Sequence, residues 1–309
     1  MAEILALISL PAPFLARLER NHVVHRGWEH PLDGLPLDSI TGICTVGSRG
    51  ADAALMDRMP ALRFVSCFGS GYEKVDLAAA RARAVTVTHC PSGNHECVAD
   101  MAFALLLASA RRVVEADRFI REGRWQGRST KPAQVRSVHG RKLGILGLGM
   151  IGMEVAARAS GFRMAIGYHN RTPRTDVAFD CFASPQALAD WADIVVVALR
   201  AGPDNRHIID ADFLRALGPQ GYLINISRGS AVDEEALAAA LEQGVIAGAG
   251  LDVFEGEPGV SARLMAVPNI VLTPHLAAST SYAMERQSEI VLGQIDDLMA
   301  GRPTVGTLA

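Results

Sequence analysis

The sequence lacks the basic excess that is typical of nucleic-acid-binding proteins. It also lacks the cysteine spacing that is typical of disulfide-rich and zinc-binding proteins. Its formal net charge is -3 over 309 residues, so there is no basic excess to neutralise the phosphates of a nucleic acid. Its five cysteines are dispersed without a CxxC pair, a pattern typical of buried thiols in a reducing compartment. We therefore expect no nucleic-acid partner, no disulfide framework and no metal site.

A long hydrophobic run is also missing. The most apolar segment, MAFALLLASA at 101–110, is too short to cross a bilayer. The start of the chain, MAEILALISLPAP, has neither the basic residues nor the long apolar stretch of a signal peptide. These absences predict a cytoplasmic protein without a membrane partner.

What is present is an alternation of short apolar strands and helices, in a chain long enough for two domains. The early strands are EILALISL, ICTVGS, RFVSCFG and AVTVTHC, and from KLGILG onward near-continuous aliphatic runs are typical of a buried parallel sheet. The predicted fold is α/β. A Rossmann-type doubly wound parallel sheet over 97–282, the dinucleotide-binding domain, is inserted in a smaller flavodoxin-like substrate domain made of 1–96 and 283–309.

Two helices matter for this organisation. The pattern predicts one long helix over 96–123, apolar around most of its circumference and therefore buried between two domains or two subunits. The last helix, over 282–299, follows the final strand and is expected to return to the first domain.

A glycine turn follows the strand KLGIL and opens a helix. Gly147, Gly149 and Gly152 have GxGxxG spacing, with Met150 and Ile151 between the last two glycines. In such a turn the first glycine permits the bend, the second lets a pyrophosphate approach the backbone, and the third allows close helix–strand packing. Because a strand, a helix and a second strand surround the motif, we interpret it as a dinucleotide site.

The stretch YHNRTPR, 168–174, lies where an NAD enzyme usually presents an acid to the adenosine ribose. Here Asn170, Arg171 and Thr172 offer donors instead, and Arg174 could add to them. An arginine can make charge-assisted bonds to a 2′-phosphate, which an acid would repel. The stretch predicts a preference for NADP(H), with NAD(H) possible; the alternative is a solvated basic turn.

Three polar side chains follow apolar strands, at the edge where ligands gather in open α/β sheets. Arg228 follows GYLINIS, Glu257 follows LDVFEG, which contains Asp252, and His275 follows NIVLTP. A cation, a carboxylate and an imidazole at one edge suit a reaction that holds an anion and moves a proton. Each residue alone could instead have a structural role.

Six segments, in one order along nearly the whole chain, resemble the D-2-hydroxyacid dehydrogenase family, and especially its hydroxypyruvate, glyoxylate and hydroxyphenylpyruvate reductases. They are VSCFGSGYEKVDL, SGNHECVADMAFALLLASARR, GRKLGILGLGMIG, INISRGSAVDEEAL, AGLDVFEGEP and NIVLTPHLAAST. Several independent motifs in one order are far more specific than a glycine turn alone. The resemblance implies an NAD(P)-dependent enzyme that reduces a 2-keto acid to the D-2-hydroxy acid.

The resemblance also implies roles for the catalytic residues. Backbone amides at Ser70 and Gly71, with Arg228, would hold the substrate carboxylate, and Arg228 would also polarise the C2 carbonyl. His275 would protonate the forming alkoxide as general acid, oriented by Glu257.

Further residues are implied for the cofactor, the substrate tail and the assembly. Asp252 would lie near the nicotinamide carboxamide, or else face loop amides as a strand-end acid. Arg49, in VGSRGAD, would select the substrate tail, a solvated side chain being the alternative. The apolar helix after Val98 resembles the family's dimer interface and predicts a homodimer. Further cofactor contacts are expected at Val98, Leu199 and Ile226.

The chain departs from the family pattern at a few positions. Met150 stands where the family often has an arginine, Arg200 and Ala201 replace its usual Pro-Leu, and Asp100 replaces the commoner Glu. A formate dehydrogenase of this architecture would resemble a family with glutamine at the Glu257 position, so Glu257 argues against that reading.

The alternative from another class is a dinucleotide-sensing corepressor on the same fold. Such proteins keep the catalytic trio but usually carry added tails. This chain ends at GRPTVGTLA, which favours the enzyme.

Overall fold

The chain divides into two units. The computed structural model describes residues 1–127, 130, 134–200 and 202–309, so Ala201 lies outside the described residues. One unit consists of Met1–Asn94 with Ser279–Ala309, and the other of His95–Ala278. These bounds lie close to the predicted ones, 96/97 and 282/283, and the assignment of the first unit to the substrate stays a prediction.

The first unit is built on a parallel five-stranded sheet of order β2-β1-β3-β4-β5. Flavodoxin-like folds have this order, so the predicted class is confirmed. The prediction missed one strand, the edge strand VVHR, whose residues are half-buried or exposed and therefore lack an aliphatic run. The strands are β1 Glu3–Ala6, β2 Val23–Arg26, β3 Gly42–Thr45, β4 Phe64–Cys67 and β5 Thr86–His89.

Three helices connect these strands, α1 Ala12–Asn21, α2 Ala53–Asp57 and α3 Leu77–Ala82. Two of them begin at an aspartate that caps an otherwise unpaired amide: Asp52 accepts from Leu55 N at 2.8 Å and Asp76 from Ala79 N at 2.9 Å. Clusters of buried apolar residues cover both faces of the sheet.

The second unit contains a parallel seven-stranded sheet of order β12-β11-β10-β9-β6-β7-β8. Counted from its own first strand this is the doubly wound Rossmann order, with one strand added at the end, and the predicted class is confirmed. The predicted strands are all present. They are β6 Lys142–Leu146, β7 Ala165–His169, β8 Asp180–Cys181, β9 Ile194–Val197, β10 Tyr222–Asn225, β11 Gly248–Leu251 and β12 Ile270–Leu272.

The described residues of this unit form seven α-helices, and buried apolar clusters lie on both faces of its sheet. They are α4 His95–Ala110, α5 Val113–Arg121, α6 Met150–Gly161, α7 Pro185–Trp191, α8 Ala211–Leu217, α9 Glu234–Glu242 and α10 Ala262–Ala266. The helix α9 illustrates the local signals: Asp233 accepts from Ala236 N at 3.0 Å, and Gly244, with φ of 68°, follows its end.

The predicted continuous helix over 96–123 is wrong. α4 ends at Ala110, and Arg112 adopts a left-handed backbone with φ of 51° before α5 begins. Ser109 Oγ donates to Ala249 O of β11 at 2.9 Å, so the end of α4 is bonded to the sheet, whereas α5 has no buried residue. The buried residues of α4 pack within their own unit, against α6, β10 and β11. Neither proline nor glycine marks the break in the sequence.

The last helix, α11 Ser281–Met299, belongs to the first unit, where Val291 and Ile295 are fully buried. The segment after it pairs with β5: His89 N donates to Gly306 O at 3.0 Å and Leu308 N to Val87 O at 2.8 Å. The first unit is therefore completed by two separate parts of the chain.

The cysteines are free thiols, and four of the five are buried. Burial raises the pKa of Cys44 and Cys67 to about 12 and that of Cys90 to about 11, so these thiols stay protonated. Within the part of the chain that the structure describes, we find no helix with the length and apolar character that a membrane span requires.

Candidate functional site

The residues predicted to carry the chemistry of the second unit lie at one edge of its sheet. The parallel register pairs Val197 with Asn225, Asn225 with Leu251, and Leu251 with Leu272, so the carboxyl ends of β9 to β12 are level. Arg228, Asp252 and His275 follow three of these ends, β10, β11 and β12. In open α/β sheets this edge is where ligands bind.

The glycine turn joins β6 to α6 at the same edge. Gly147 has φ of 100°, and a Cβ atom there would lie 2.6 Å from Leu199 Cα. A Cβ on Gly152 would lie 2.5 Å from Gly147 O, whereas a Cβ on Gly149 would meet nothing within 4 Å. The first and third positions therefore require glycine for packing, and the second leaves an open approach to the backbone. With the N-terminus of α6 beside it, this geometry fits a pyrophosphate.

Asn170 holds the glycine turn from the next strand. Its Oδ1 accepts from Leu148 N at 2.7 Å, which leaves the Nδ2 group as the donor end of the amide. Arg174 has a similar role: Nη1 donates to Leu148 O at 3.2 Å, and Nε donates to Asp176 at 2.9 Å. The guanidinium of Arg174 thus stabilises the turn. These bonds do not indicate a role in holding a phosphate.

Arg171 is the most accessible cation of the stretch YHNRTPR. Its side chain is 85% exposed, and Nη1 lies 3.6 Å from Asp204 Oδ2, itself well exposed. Thr172 is also exposed. An exposed pair of this kind is weak, so Arg171 can exchange its partner for a phosphate at little cost.

His275 and Glu257 form a hydrogen-bonded pair. His275 Nδ1 lies 2.8 Å from Glu257 Oε2, and Glu257 Oε1 accepts from Phe254 N at 2.9 Å. Because the carboxylate can only accept, the proton between them is placed on Nδ1. The other ring nitrogen, Nε2, is left to act on a ligand.

The backbone of His275 is strained and tightly held. Its φ of 53° lies in the left-handed region, which side chains other than glycine and asparagine rarely adopt. His275 N donates to both Asp252 O and Thr273 O at 2.9 Å. Such strain persists only where the surroundings impose it, and it is frequent at functional sites.

Asp252 is the residue that fixes the loop carrying His275. It is fully buried, and its carboxylate accepts from Thr273 Oγ1 at 2.6 Å, Leu276 N at 2.8 Å and Ala277 N at 2.9 Å. These bonds agree with the alternative role, an acid facing loop amides. A contact with the nicotinamide carboxamide stays a prediction.

Arg228 begins the loop after β10 and is half-buried. Asn225 Nδ2 donates to Arg228 O at 3.0 Å, while Asn225 Oδ1 accepts from Ser227 N at 3.0 Å. A Cβ on Gly229 would lie 1.8 Å from the carbonyl carbon of Phe254, so this loop presses against the segment leading to Glu257. The loop of Arg228 is thereby fixed beside that of Glu257.

The other predicted cofactor residues differ in how far they are buried. Val98 on α4 and Ile226 after β10 are buried among apolar side chains. Ile151 and Leu199 are half-buried, and Met150, at the start of α6, is exposed. Ligand contacts of these residues stay predictions.

Ser70, Gly71 and Arg49 belong to the first unit. Ser70 and Gly71 are half-buried, and His89 Nδ1 lies 3.0 Å from Ser70 O. The turn of Arg49 packs against theirs, because a Cβ on Gly47 would lie 2.4 Å from the carbonyl carbon of Gly71. The Arg49 side chain is exposed. The two predicted substrate loops of this unit are therefore neighbours.

Sequence reasoning missed three supporting residues, Asn225, Thr273 and His89. Each is a polar residue at or just after the end of an apolar strand, in LIN, IVLT and TVTH. That position is the signal that could have identified them, since a polar group among apolar ones needs a nearby partner.

Comparison with known proteins agrees with this geometry. Residues 103–277 match the family described as D-isomer specific 2-hydroxyacid dehydrogenase, NAD binding domain. A hydroxyphenylpyruvate reductase from Plectranthus scutellarioides is 38% identical over 290 residues, covering 93% of this chain and 92% of that protein. A glyoxylate/hydroxypyruvate reductase from Arabidopsis thaliana is 38% identical over 92% of each chain. An NADPH-dependent glyoxylate/hydroxypyruvate reductase from Sinorhizobium meliloti, solved in complex with NADP and malonate, has a TM-score of 0.92 at 35% identity, covering 100% of this chain and 97% of that one.

Proposed function

Because the chain belongs to the D-isomer specific 2-hydroxyacid dehydrogenase family, we propose that it uses NADPH to reduce a small 2-keto acid to the D-2-hydroxy acid. The observation that carries the proposal is the pair of His275 Nδ1 and Glu257 Oε2, 2.8 Å apart, at the sheet edge that also bears the glycine turn. Reduction of a carbonyl needs a proton donor as well as a hydride, since the oxygen becomes an alkoxide.

When bound, the reduced nicotinamide supplies the hydride to C2 of the keto acid. His275 delivers a proton from Nε2 to the C2 oxygen as general acid. Glu257, bonded to Nδ1, orients the ring and stabilises its protonated form. Asp252 keeps the loop in place through its bonds to Thr273, Leu276 and Ala277.

Arg228 holds the substrate carboxylate, and the family resemblance implies the amides of Ser70 and Gly71 as further donors to it. A guanidinium binds a carboxylate through two parallel hydrogen bonds, which fixes the C2 carbonyl as well as the charge. Arg228 also polarises that carbonyl. Within the first unit, Arg49, whose turn packs on that of Gly71, is the residue we expect to sort glyoxylate, hydroxypyruvate and arylpyruvates by the group that C2 carries besides the carboxylate.

The preference for NADPH rests on the stretch after β7. It has no acid that would repel a 2′-phosphate, Asn170 keeps its donor end available, and Arg171 is exposed. The Sinorhizobium meliloti relative is named as NADPH-dependent and was solved with NADP, which supports the same choice here.

The test is a matrix of initial rates with glyoxylate, hydroxypyruvate and 4-hydroxyphenylpyruvate, each against NADPH and NADH, for the wild type and Arg171→Ala. We expect turnover favouring NADPH, and a KM for NADPH raised about 10-fold or more in the variant with little change for NADH, as befits one lost charge-assisted bond. Turnover favouring NADH would contradict the 2′-phosphate site. Absence of turnover with any pair would contradict the proposed substrates.

The corepressor alternative is not favoured, because the named relatives are reductases. The dispersed free cysteines support a cytoplasmic location. A homodimer is supported by α5, whose apolar residues are exposed although the helix is amphipathic.

A further inference from the structure

The glycine turn brings no positive charge of its own. Residues 147–152 read GLGMIG, and the side chain at the start of α6 is the exposed, uncharged Met150. The pyrophosphate of a dinucleotide is a dianion, and backbone amides alone offer it only partial charges. A cation must therefore come from a neighbouring element if the charge is to be matched.

We propose that Arg200 supplies this charge, binding the pyrophosphate from the end of β9. This role rests on the dinucleotide site described above, and it gives Arg200 a function at a position where the family's usual Pro-Leu is absent.

The register of the sheet places Arg200 beside the turn. β9 lies between β6 and β10, with Val197 paired to Leu146 on one side and to Asn225 on the other. Arg200 follows Val197 by three residues, as Arg228 follows Asn225. Leu199, its neighbour in the chain, is the residue whose Cα lies 2.6 Å from a Cβ placed on Gly147. Arg200 therefore follows the strand next to the glycine turn. The strand that carries Arg228 separates it from β12 and His275.

The backbone that carries Arg200 is fixed. Arg200 O accepts from Asn205 Nδ2 at 2.7 Å, and Asn205 N donates to Gly202 O at 3.0 Å. The other arginine at the turn, Arg174, is already paired with Asp176. The bonds of Arg174 hold the turn itself, whereas Arg200 follows the neighbouring strand β9.

The local charge also favours an anion at this point. Partial desolvation of the guanidinium, followed by the positive charge of Arg228, lowers the pKa of Arg200 even though the residue is exposed. Two like charges at one edge of the sheet repel each other, and an anion bound between Arg200 and the turn offsets that repulsion.

The competing role is contact with a second acidic group on the substrate. The order of elements argues against it, because the proposed reacting carbonyl lies between Arg228 and His275, on the far side of Arg228 from Arg200. The experiment below separates the two roles.

The test is isothermal titration of the purified protein, without keto acid, with NADP⁺, NAD⁺ and adenosine 2′-monophosphate, which carries the 2′-phosphate but neither of the two phosphates of the pyrophosphate. Arg200→Met keeps the length of the side chain and removes its charge. We expect Kd for NADP⁺ and for NAD⁺ to rise about 10- to 100-fold, as for one charge-assisted contact. The affinity for adenosine 2′-monophosphate should fall by less than about threefold, because this ligand lacks the phosphates that Arg200 binds.

Two control variants define the contrast. Arg171→Met should weaken the binding of both NADP⁺ and adenosine 2′-monophosphate, and Arg215→Met, on the exposed end of α8, should change neither. Unchanged Kd values for both dinucleotides in Arg200→Met, or an equal loss for all three ligands, would overturn the proposal. A raised KM for the keto acid with unchanged cofactor binding would assign Arg200 to the substrate instead. Since no keto acid is present in the titration, failure of the proposed reaction would not alter its result.

Discussion

His275 combines a strained backbone with a fixed side chain, and this combination determines how it can be tested. Asparagine tolerates the left-handed conformation at φ of 53°, so His275→Asn removes the proton donor while retaining the loop. We expect kcat for keto-acid reduction to fall about 100- to 10,000-fold, the range of general acid catalysis. Kd for NADPH, measured by fluorescence titration, should stay within about twofold because no cofactor bond is removed.

The matched control for this variant is Glu257→Gln. The amide can still accept from His275 Nδ1, but it brings no charge to stabilise the imidazolium. Its kcat should lie between those of the wild type and His275→Asn. Full activity in His275→Asn would show that another group supplies the proton.

The protonation of His89 affects the stability of the first unit. Desolvation lowers its pKa, and the hydrogen bond to Ser70 O opposes that shift. A histidine whose pKa is depressed in the folded state binds fewer protons there than in the unfolded chain, so its contribution to stability is present above about pH 6.5 and is lost as pH falls.

The free energy of unfolding should therefore decrease between about pH 7.5 and 5.5, and it should decrease less in His89→Phe, which keeps a ring beside Tyr72. Urea unfolding at several pH values measures both slopes. His22, whose pKa burial also lowers, leaves some pH dependence in the variant. Equal slopes would exclude His89 as a contributor.

At the scale of the element, alanine substitutions at two glycines of the β6–α6 turn should have opposite effects on stability and cofactor binding. A Cβ on Gly149 meets open space, so Gly149→Ala should fold with nearly wild-type stability and lose cofactor affinity, because the methyl occupies the approach to the backbone. A Cβ on Gly152 lies 2.5 Å from Gly147 O, so Gly152→Ala should lower the free energy of unfolding by about 1–3 kcal/mol.

Thermal unfolding and cofactor titration of the two variants measure these effects separately. If Gly149→Ala bound NADPH as tightly as the wild type, the pyrophosphate would have to lie elsewhere than on this turn.

Helices and strands could be predicted from the sequence where their local sequence signals agree with the burial of their residues. The strands of the second unit are aliphatic runs buried on both faces, and α9 has an acidic start and a glycine after its end, so both could be identified. The edge strand VVHR and the break before α5 could not, because each depends on partners distant in sequence. For the break, the distant partner is Ala249 O, which holds Ser109.

The candidate site was predictable in its position and less so in its bonds. Strand ends and spacing indicated Arg228, Glu257 and His275 because parallel strands bring their carboxyl ends together. The sequence could not decide between two orientations of Asp252, since the amides of Leu276 and Ala277 reach it only after the loop has folded. For the same reason it did not indicate that Arg174 would be bound to Asp176.

At the scale of the whole molecule, α5 carries the exposed apolar residues on which the proposed homodimer rests. Val113, Ala116 and Ile120 recur at helical spacing on one face and are exposed, as is Trp125 after the helix. Ile120→Glu should convert the expected homodimer to monomer in sedimentation velocity at micromolar protein, because a charge in an apolar interface is costly. Met265→Glu, an exposed apolar position on α10, is the control and should leave the dimer unchanged. A wild type that sediments only as monomer would contradict the dimer itself.

The first unit is assembled from 1–94 and from 279–309, with the strand β5 paired to residues 306–308. This arrangement imposes an order on biosynthesis. The second unit is continuous and can fold while the chain is still being translated, whereas the first unit must wait for a segment that leaves the ribosome after all of the second. Ribosome-bound chains stalled with 279–309 still inside the exit tunnel should protect 95–278 from protease and leave 1–94 sensitive. The opposite pattern would mean that the amino-terminal strands fold without their later partner.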